Sequence, residues 1–349
     1  MHVLFGHSNF PAQFRYIAPA LAAGHGWSCS FVTARRGSSL PRVRKVTYRP
    51  ARGATRQSSA LTSMFENAVG HARGVYEALK GRRDVRPDLV VAHSGFGSSL
   101  YLPYLYDAPI VNFFEYFYRP VGQDLGYRPE TPVTETHLLR SRCRNGMILL
   151  DLDNCDRGWC PNEYQKSLFP REYQEKITVM PEGIDTDLWR RRPDVKLNLA
   201  GGAPLPTGTR VVTYVSRGFE LMRGFDVFVK VAKRICERLD DVIFVVVGTD
   251  RAWYGNDEEL VPEQTFGQHV LDHAGLDMSR FCFTGRLPER TLADVLSVSD
   301  LHIYLTVPFV PSWSLLNAMS SSCVVLASDQ GVRPGVHHSR SERAAARLL

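Results

Sequence analysis

Residues 210–236 read RVVTYVSRGFELMRGFDVFVKVAKRIC, and this stretch decides the fold. The first part, Arg210–Ser216, is an apolar run without strict polar alternation, the pattern of a strand covered on both faces. From Phe225 onward the apolar residues recur at helical spacing. Between strand and helix stand Arg217 and Arg223, six apart and followed by Gly218 and Gly224. That places two cations where a helix N-terminus already favours an anion. The pair suits a diphosphate, whose oxygens arginine engages in bidentate fashion; two surface arginines on a βα loop are the competing reading.

The same alternation extends in both directions. Buried strands are expected at Val3–Gly6, Cys29–Thr33, Leu89–His93, Ile110–Phe114, Ile177–Pro181, Val242–Gly248, Phe281–Thr284, Leu301–Leu305 and Cys323–Ser328. Amphipathic helices are expected at Gln13–Ala23, Leu61–Leu79, Phe225–Leu239, Leu292–Val298 and Ser314–Met319. Strands alternating with helices imply an α/β protein with mostly parallel sheets. One stretch breaks the pattern: from Arg190 to Gly208 charge, Gly and Pro mix with no strand or helix period, as in a linker. The expectation is two Rossmann-like doubly wound domains facing across a cleft, 1–195 and from 209 on, joined by a linker at 196–208. Ligands in such sheets sit beyond the C-terminal strand ends.

Composition excludes several classes. The 349 residues include 44% hydrophobic and 22% charged, so the chain is neither disordered, collagenous nor a small disulfide framework. A net charge of +6, from 42 basic against 36 acidic residues, is too dilute to imply nucleic acid. The seven cysteines are scattered without a CxxC pair, which reads as reduced thiols rather than zinc ligands or disulfides. There is no basic n-region with a long apolar core, and no apolar stretch near the ~18 residues of a membrane span. A cytoplasmic protein is expected. Arg190–Arg192 read first as solvated linker and second as a weak peripheral attraction to an anionic membrane.

Other strand ends carry further candidates. Gly248 and Gly285-Arg286 stand at βα turns where backbone approaches a ligand, and the loop 307–314 leads into a short helix. His93 closes a buried strand, where it either exchanges a proton or is satisfied by backbone. The adjoining Ser94 suggests a nucleophile elbow, but that pattern needs glycines where this chain has Ala92 and Phe96, so a serine hydrolase is the weakest reading. No G-x-G-x-x-G follows a strand and no P-loop lysine is present. His269 and His273 read as a solvated helix face.

Taken together, several segments resemble the family 4 glycosyltransferases of the GT-B fold, in a bacterial subgroup with a distinctive N-terminal domain. They are HSNFPAQFR from His7, DLVVAHSGFG from Asp88, FFEYFY from Phe113, NEYQKSLFP from Asn162, GIDTD from Gly183, the Arg217–Gly224 loop, and VPFVPSWSLL from Val307. The resemblance implies an acceptor site in the first domain, with Asn9, Phe10, Gln13 and Glu115, and a nucleotide-sugar donor site in the second. Arg217 and Arg223 match the basic pair on the donor diphosphate, and His93 matches the active-site histidine; these three are the catalytic candidates. Gly218, Gly224, Gly248, Gly285, Arg286, Phe309, Ser312, Trp313, Ser314, Leu315 and Asn317 are the donor-binding candidates. Such enzymes use no metal and no cofactor, retain anomeric configuration, and pass the sugar to a glycan or lipid-linked acceptor, as in polysaccharide biosynthesis.

Two departures qualify the resemblance. Many relatives carry E-x7-E, whose second glutamate holds the ribose; here Phe309 at the first place suits the subgroup, whereas Asn317 at the second departs from it. An amide in place of a carboxylate costs about 1.5–3 kcal/mol of donor binding. The second departure is the ending: 209–330 reads as an incomplete donor domain and 331–349 as an aberrant basic tail, with four arginines against Glu342. One codon choice for Ser341–Arg347, read one base later, spells VNGLLLD, the turn and strand of relatives, so the tail is expected to be an out-of-frame extension. Both departures support an alternative, a catalytically impaired remnant of the same fold that at most binds.

Overall fold

The computed structural model describes residues 1–120, 123–196, 208–255 and 257–328. Nearly all of the expected linker and the whole of the tail lie outside them. The described chain divides into two compact units. One holds Met1–Leu125 and Val133–Gly183; the other holds Gly126–Pro132 and the residues from Ile184 on.

The first unit contains β1 (His2–Gly6), α1 (Ile17–Gly24), β2 (Ser28–Thr33), β3 (Val43–Thr47), α2 (Ser63–Leu79), β4 (Leu89–His93) and β5 (Ile110–Phe113). It continues with α3 (Glu135–Asn154), β6 (Arg157–Cys160), α4 (Glu163–Leu168), α5 (Arg171–Gln174) and β7 (Ile177–Val179). Its strands form one parallel sheet in the order β3-β2-β1-β4-β5-β6-β7. The second unit contains β8 (Arg210–Gly218), α6 (Phe225–Cys236), β9 (Val242–Thr249), α7 (Asp257–Leu260) and α8 (Phe266–Asp272). After these come β10 (Phe281–Gly285), α9 (Glu289–Ser297), β11 (Leu301–Tyr304), α10 (Trp313–Ser320) and β12 (Val324–Ala327). Its sheet is also parallel, in the order β10-β9-β8-β11-β12.

The expected doubly wound α/β architecture is thus present twice. Strands were missed where the apolar run is broken: β3 alternates buried Val43 and Val46 with exposed Arg44 and Thr47 at the sheet edge, and β6 is four residues beginning with exposed Arg157. Helix α3 was missed because its inner face is partly polar, burying Ser141, Asn145 and Asp151 beside Met147 and Ile148. Aromatic side chains fill both cores: Phe5, Phe14, Phe31 and Phe113 in the first, and Tyr214, Phe225, Phe228 and Phe244 in the second. Burying each such side chain contributes roughly 1.5–3 kcal/mol.

Each sheet has a point where strand order reverses. In the first, β1 lies between β2 and β4; in the second, β8 lies between β9 and β11. The loops leaving these strands diverge there and open a crevice at the C-terminal ends, where doubly wound sheets bind ligands.

One buried polar group gives the second unit a measurable pH response. His302 on β11 is fully buried, with Nδ1 3.0 Å from Thr213 Oγ1, itself 2.8 Å from Ser299 Oγ. Burial pushes the imidazole down to about 4 from its ordinary 6.5. The unfolded chain therefore holds one more proton than the folded chain between those values, and stability falls as pH falls through that window. In His302→Gln, urea unfolding from pH 6.5 to 4 should lose up to one proton of slope, about 1.4 kcal/mol per pH unit. An unchanged slope would contradict the buried neutral histidine.

Candidate functional site

At the switch point of the second unit, backbone geometry dictates where the arginines stand. Strand β8 runs two residues past Ser216, with a bulge between Val215 and Gly218. A Cβ on Gly218 would lie 2.1 Å from the Arg251 carbonyl oxygen and 2.8 Å from Trp253 Cδ1, so only glycine admits that neighbouring loop. A 3-10 turn, Leu221–Arg223, follows. Gly224 joins it to α6 with φ +68°, and a Cβ there would lie 2.6 Å from both the Cβ and the carbonyl oxygen of Leu305. The turn holds Arg223 immediately before the positive end of α6, and Arg217, at the end of β8, shares the Tyr254 ring with it.

The two guanidiniums differ in setting. Arg217 is exposed; its Cζ lies 3.9 Å from the centroid of the Trp253 ring and its Nη1 donates to Tyr254 Oη at 3.2 Å. Arg223 is largely buried, donates Nη1 to Thr306 Oγ1 at 3.3 Å, and lies 5.1 Å from the Tyr254 ring. Below them, Asp257 Oδ2 accepts the Leu221 N–H at 2.8 Å, and burial pushes its carboxyl up to about 6. Arg128 donates to Asp226 Oδ2 at 2.7 Å.

The loop after β11 completes this side. Ser312 caps α10, its Oγ accepting the Ser314 N–H at 3.3 Å, while its own N–H donates to Tyr304 Oη at 2.9 Å. Arg223, Ser312 and Ser314 line one recess together with Tyr214, Tyr304 and Thr306. Asn317 is three residues beyond Ser314 on the same face of α10. The Phe309 ring stands 6.2 Å from that of Tyr254. Trp313 and Leu315 are half-buried on α10 and do not line the recess. Gly285 and exposed Arg286 lie at the end of β10, two strands from β8, so the structure does not bring them to Arg217 and Arg223. Gly248 is a glycine for a packing reason, because a Cβ would meet the Ser216 carbonyl oxygen at 2.3 Å.

The switch point of the first unit collects a second set. Pairing of Gly6 with Ala92 sets His7 and His93 side by side beyond β1 and β4, with ring centroids 4.6 Å apart. His93 Nδ1 is 2.8 Å from the Ser94 carbonyl oxygen, which can only accept, so Nδ1 carries the hydrogen. Burial holds this imidazole below its ordinary value, with Glu115 and the carbonyl pulling the other way. Neutral His93 therefore presents Nε2 as an acceptor; it lies 3.7 Å from Glu115 Oε2 and makes no hydrogen bond. Gln13 Nε2 donates to Glu115 Oε1 at 3.1 Å, and the Asn9 N–H donates to His7 Nδ1 at 2.9 Å. Asn9, Gln13, Glu115 and His93 are thus brought together, whereas Phe10 packs on Phe31 with Lys45 Nζ 4.2 Å from its ring. His7 was missed as a site residue; only the register of β1 against β4 reveals it.

Ser94 is not a nucleophile. Its hydroxyl is buried and donates to Asp151 Oδ2 at 3.0 Å, and no histidine nitrogen bonds to it. The Gly95 N–H donates to the same oxygen at 2.7 Å. Ser99 Oγ lies 3.4 Å from Asp151 Oδ1 and 3.1 Å from Asn112 Oδ1, and Asn112 Nδ2 donates to the Asp151 carbonyl at 3.2 Å. This polar ring ties the loop after His93 to α3. Burial pushes the Asp151 carboxyl up to about 7, against three hydrogen bonds that favour the anion. A protonated Asp151 can donate to Ser99 Oγ while Ser99 donates to Asn112.

The raised pKa has a direction. The folded chain holds a proton on Asp151 that the unfolded chain has already released, so this contribution to stability is lost as pH rises from about 4 to about 7. Asparagine in its place has no such dependence. The stability of Asp151→Asn relative to the parent should therefore increase between pH 5 and pH 8 in urea unfolding; a constant difference would contradict a protonated Asp151.

Comparison with known proteins follows the same division of the chain. Residues 25–189 match the model of the glycosyl transferase family 4 group, and residues 209–346 match that of the glycosyl transferases group 1. No protein of the curated set matches significantly. Among solved structures, sucrose-phosphate synthase from Thermosynechococcus elongatus is similar at TM-score 0.67 and 16% identity, over 95% of this chain and 81% of that one. WaaG, a glycosyltransferase involved in lipopolysaccharide biosynthesis, is similar at 0.62 and 17%, over 95% and 82%. The catalytic domain of starch synthase IV from Arabidopsis thaliana, bound to ADP and acarbose, is similar at 0.59 and 12%, over 95% and 83%. At such identities the structural likeness shows the fold alone; the family follows from the two sequence models. The chain thus joins a glycosyl transferase family 4 domain to a glycosyl transferases group 1 domain and is a glycosyl-transfer enzyme of the GT-B fold.

Proposed function

We propose that the chain transfers a sugar from a nucleoside diphosphate donor to a glycan or lipid-linked acceptor, with retention of anomeric configuration and without a metal ion. The observation that carries this is that Arg223, set just before α6 by the Gly224 turn, and Arg217, at the end of β8, lie about one Tyr254 ring. As the bond from the anomeric carbon to the diphosphate breaks, the electron pair leaves with the diphosphate. Two guanidiniums and a helix N-terminus are placed to neutralise that charge. The acceptor hydroxyl forms the new bond to the anomeric carbon and passes its proton to an oxygen of the departing diphosphate. On the acceptor side, His93 Nε2 and the Glu115 carboxylate are hydrogen-bond acceptors for sugar hydroxyls, and Gln13 orients Glu115. The starch synthase neighbour is bound to ADP, a nucleoside diphosphate of the class proposed here as the leaving group. A cytoplasmic enzyme of polysaccharide biosynthesis, with no resident cofactor and at most weak peripheral membrane contact, fits this reading. Among the described residues no helix is long and apolar enough to cross a membrane.

Asn317 supports a second reading, the same reaction with weakened donor binding, because an amide replaces the carboxylate of relatives.

A panel of UDP-, GDP- and ADP-sugars, incubated in EDTA with and without simple glycan acceptors, tests the reading through release of nucleoside diphosphate. Arg223→Ala should lower kcat/KM about 10²–10³-fold in a normally folded protein. Asn317→Glu should tighten donor binding about ten- to hundredfold. Absence of turnover with every donor in a well-folded sample would overturn the transferase reading, and activity that requires a divalent ion would overturn metal independence.

A further inference from the structure

Loop residues 250–255 are held against the basic pair by a residue to which the proposed reaction assigns no part. Glu220 lies between Arg217 and Arg223 in sequence and is completely buried. Its Oε2 accepts three successive backbone N–H groups, from Trp253 at 2.8 Å, Tyr254 at 3.0 Å and Gly255 at 3.4 Å. A carboxylate collecting a run of amides fixes their peptide planes and the side chains they carry. Its other oxygen makes no hydrogen bond and lies 3.8 Å from Arg223 Nε, a buried donor that also has none.

What the loop carries explains the arrangement. Trp253 receives the Arg217 guanidinium at 3.9 Å on its ring, and Arg251 at 4.6 Å. Trp253 Nε1 donates to Thr249 Oγ1 at 3.3 Å, and Thr249 Oγ1 donates to the Arg217 carbonyl at 2.9 Å, so the ring is tied to the backbone of the arginine it supports. Tyr254 bonds Arg217 through its hydroxyl and faces Arg223, and the Phe309 ring extends the aromatic surface. Gly218 is the second, independent sign of this fit, since any side chain there would strike Arg251 and Trp253. An exposed arginine ordinarily samples many rotamers, and stacking on a fixed ring removes that freedom before a ligand arrives.

We propose that Glu220 is the positioning residue of the donor diphosphate site, acting through an aromatic shelf, Trp253 and Tyr254, on which Arg217 and Arg223 are held ready for the two phosphates. This rests on the reading of the arginine pair as diphosphate-binding. The shelf makes the site selective for a diphosphate over a monophosphate, because only two ordered guanidiniums engage both phosphate groups.

Calorimetric titration of the full chain with UDP, GDP and ADP, and with the matching monophosphates, tests this in EDTA. Glu220→Gln keeps the shape of the side chain but loses its charge and turns an N–H2 group toward either the amides or Arg223. It should weaken binding of the preferred nucleoside diphosphate about tenfold and change monophosphate binding less than about twofold. Trp253→Leu should do the same, and Tyr254→Phe should give a smaller diphosphate-selective loss. Combined with Trp253→Leu, Glu220→Gln should add little, because both act on one element. If Glu220→Gln fails to fold, judged by thermal unfolding, the other two variants decide. Equal weakening of both ligand classes, or none, overturns the shelf. Arg217→Ala separates the two failures. If it weakens diphosphate binding while Glu220→Gln, Trp253→Leu and Tyr254→Phe do not, only the shelf is wrong. If it has no effect, or if the unaltered chain binds none of the three diphosphates, the diphosphate reading falls and the shelf with it.

Discussion

The close approach of Gly224 to Leu305 is the constraint from which the donor side follows. Only a residue without a side chain, at φ +68°, lets the chain pass Leu305 and turn at once into α6. The tight turn sets Arg223 at the helix start, where it shares the Tyr254 ring with Arg217. Two like charges held so close need compensation. Buried Glu220, with Oε1 3.8 Å from Arg223 Nε, supplies part of it, and the Tyr254 ring faces both guanidiniums from the side. The arrangement leaves the arginines paired with aromatic faces and hydroxyls, contacts that a phosphate can supplement or displace.

The first unit solves a different problem with the same topology. A histidine at a strand end is useful only in one tautomer and one orientation. The Ser94 carbonyl fixes the hydrogen on Nδ1, and the ring of Asp151, Ser94, Ser99 and Asn112 fixes the loop that carries that carbonyl. His7 and Phe96, with ring centroids 4.6 and 5.0 Å from that of His93, exclude water from one side and favour the neutral imidazole.

Legibility in the sequence tracked how local each feature is. Strands β8 and β9 were readable because a buried parallel strand is an unbroken apolar run. The Arg217–Gly224 loop was readable because strand, glycines, cations and helix are contiguous. Edge strand β3 and the polar inner face of α3 were not, since both depend on neighbours distant in sequence. The supporting residues were hidden for the same reason. Glu220 looks like any acidic loop residue until the amides of Trp253, Tyr254 and Gly255 meet it, and Asp151 looks like a helix-surface charge until Ser94 does. Conversely, Gly248 read as a ligand-approach glycine, whereas its packing against Ser216 is sufficient reason for it.

The central claim is that the start of α6 with its two arginines is the seat of the donor diphosphate. A crystal structure of the chain soaked with the nucleoside diphosphate it binds most tightly is the most direct measurement. The account predicts both phosphate groups within hydrogen-bond distance of the Arg217 and Arg223 guanidiniums, beside the first turn of α6. Phosphates bound elsewhere, with those two side chains untouched, would contradict it.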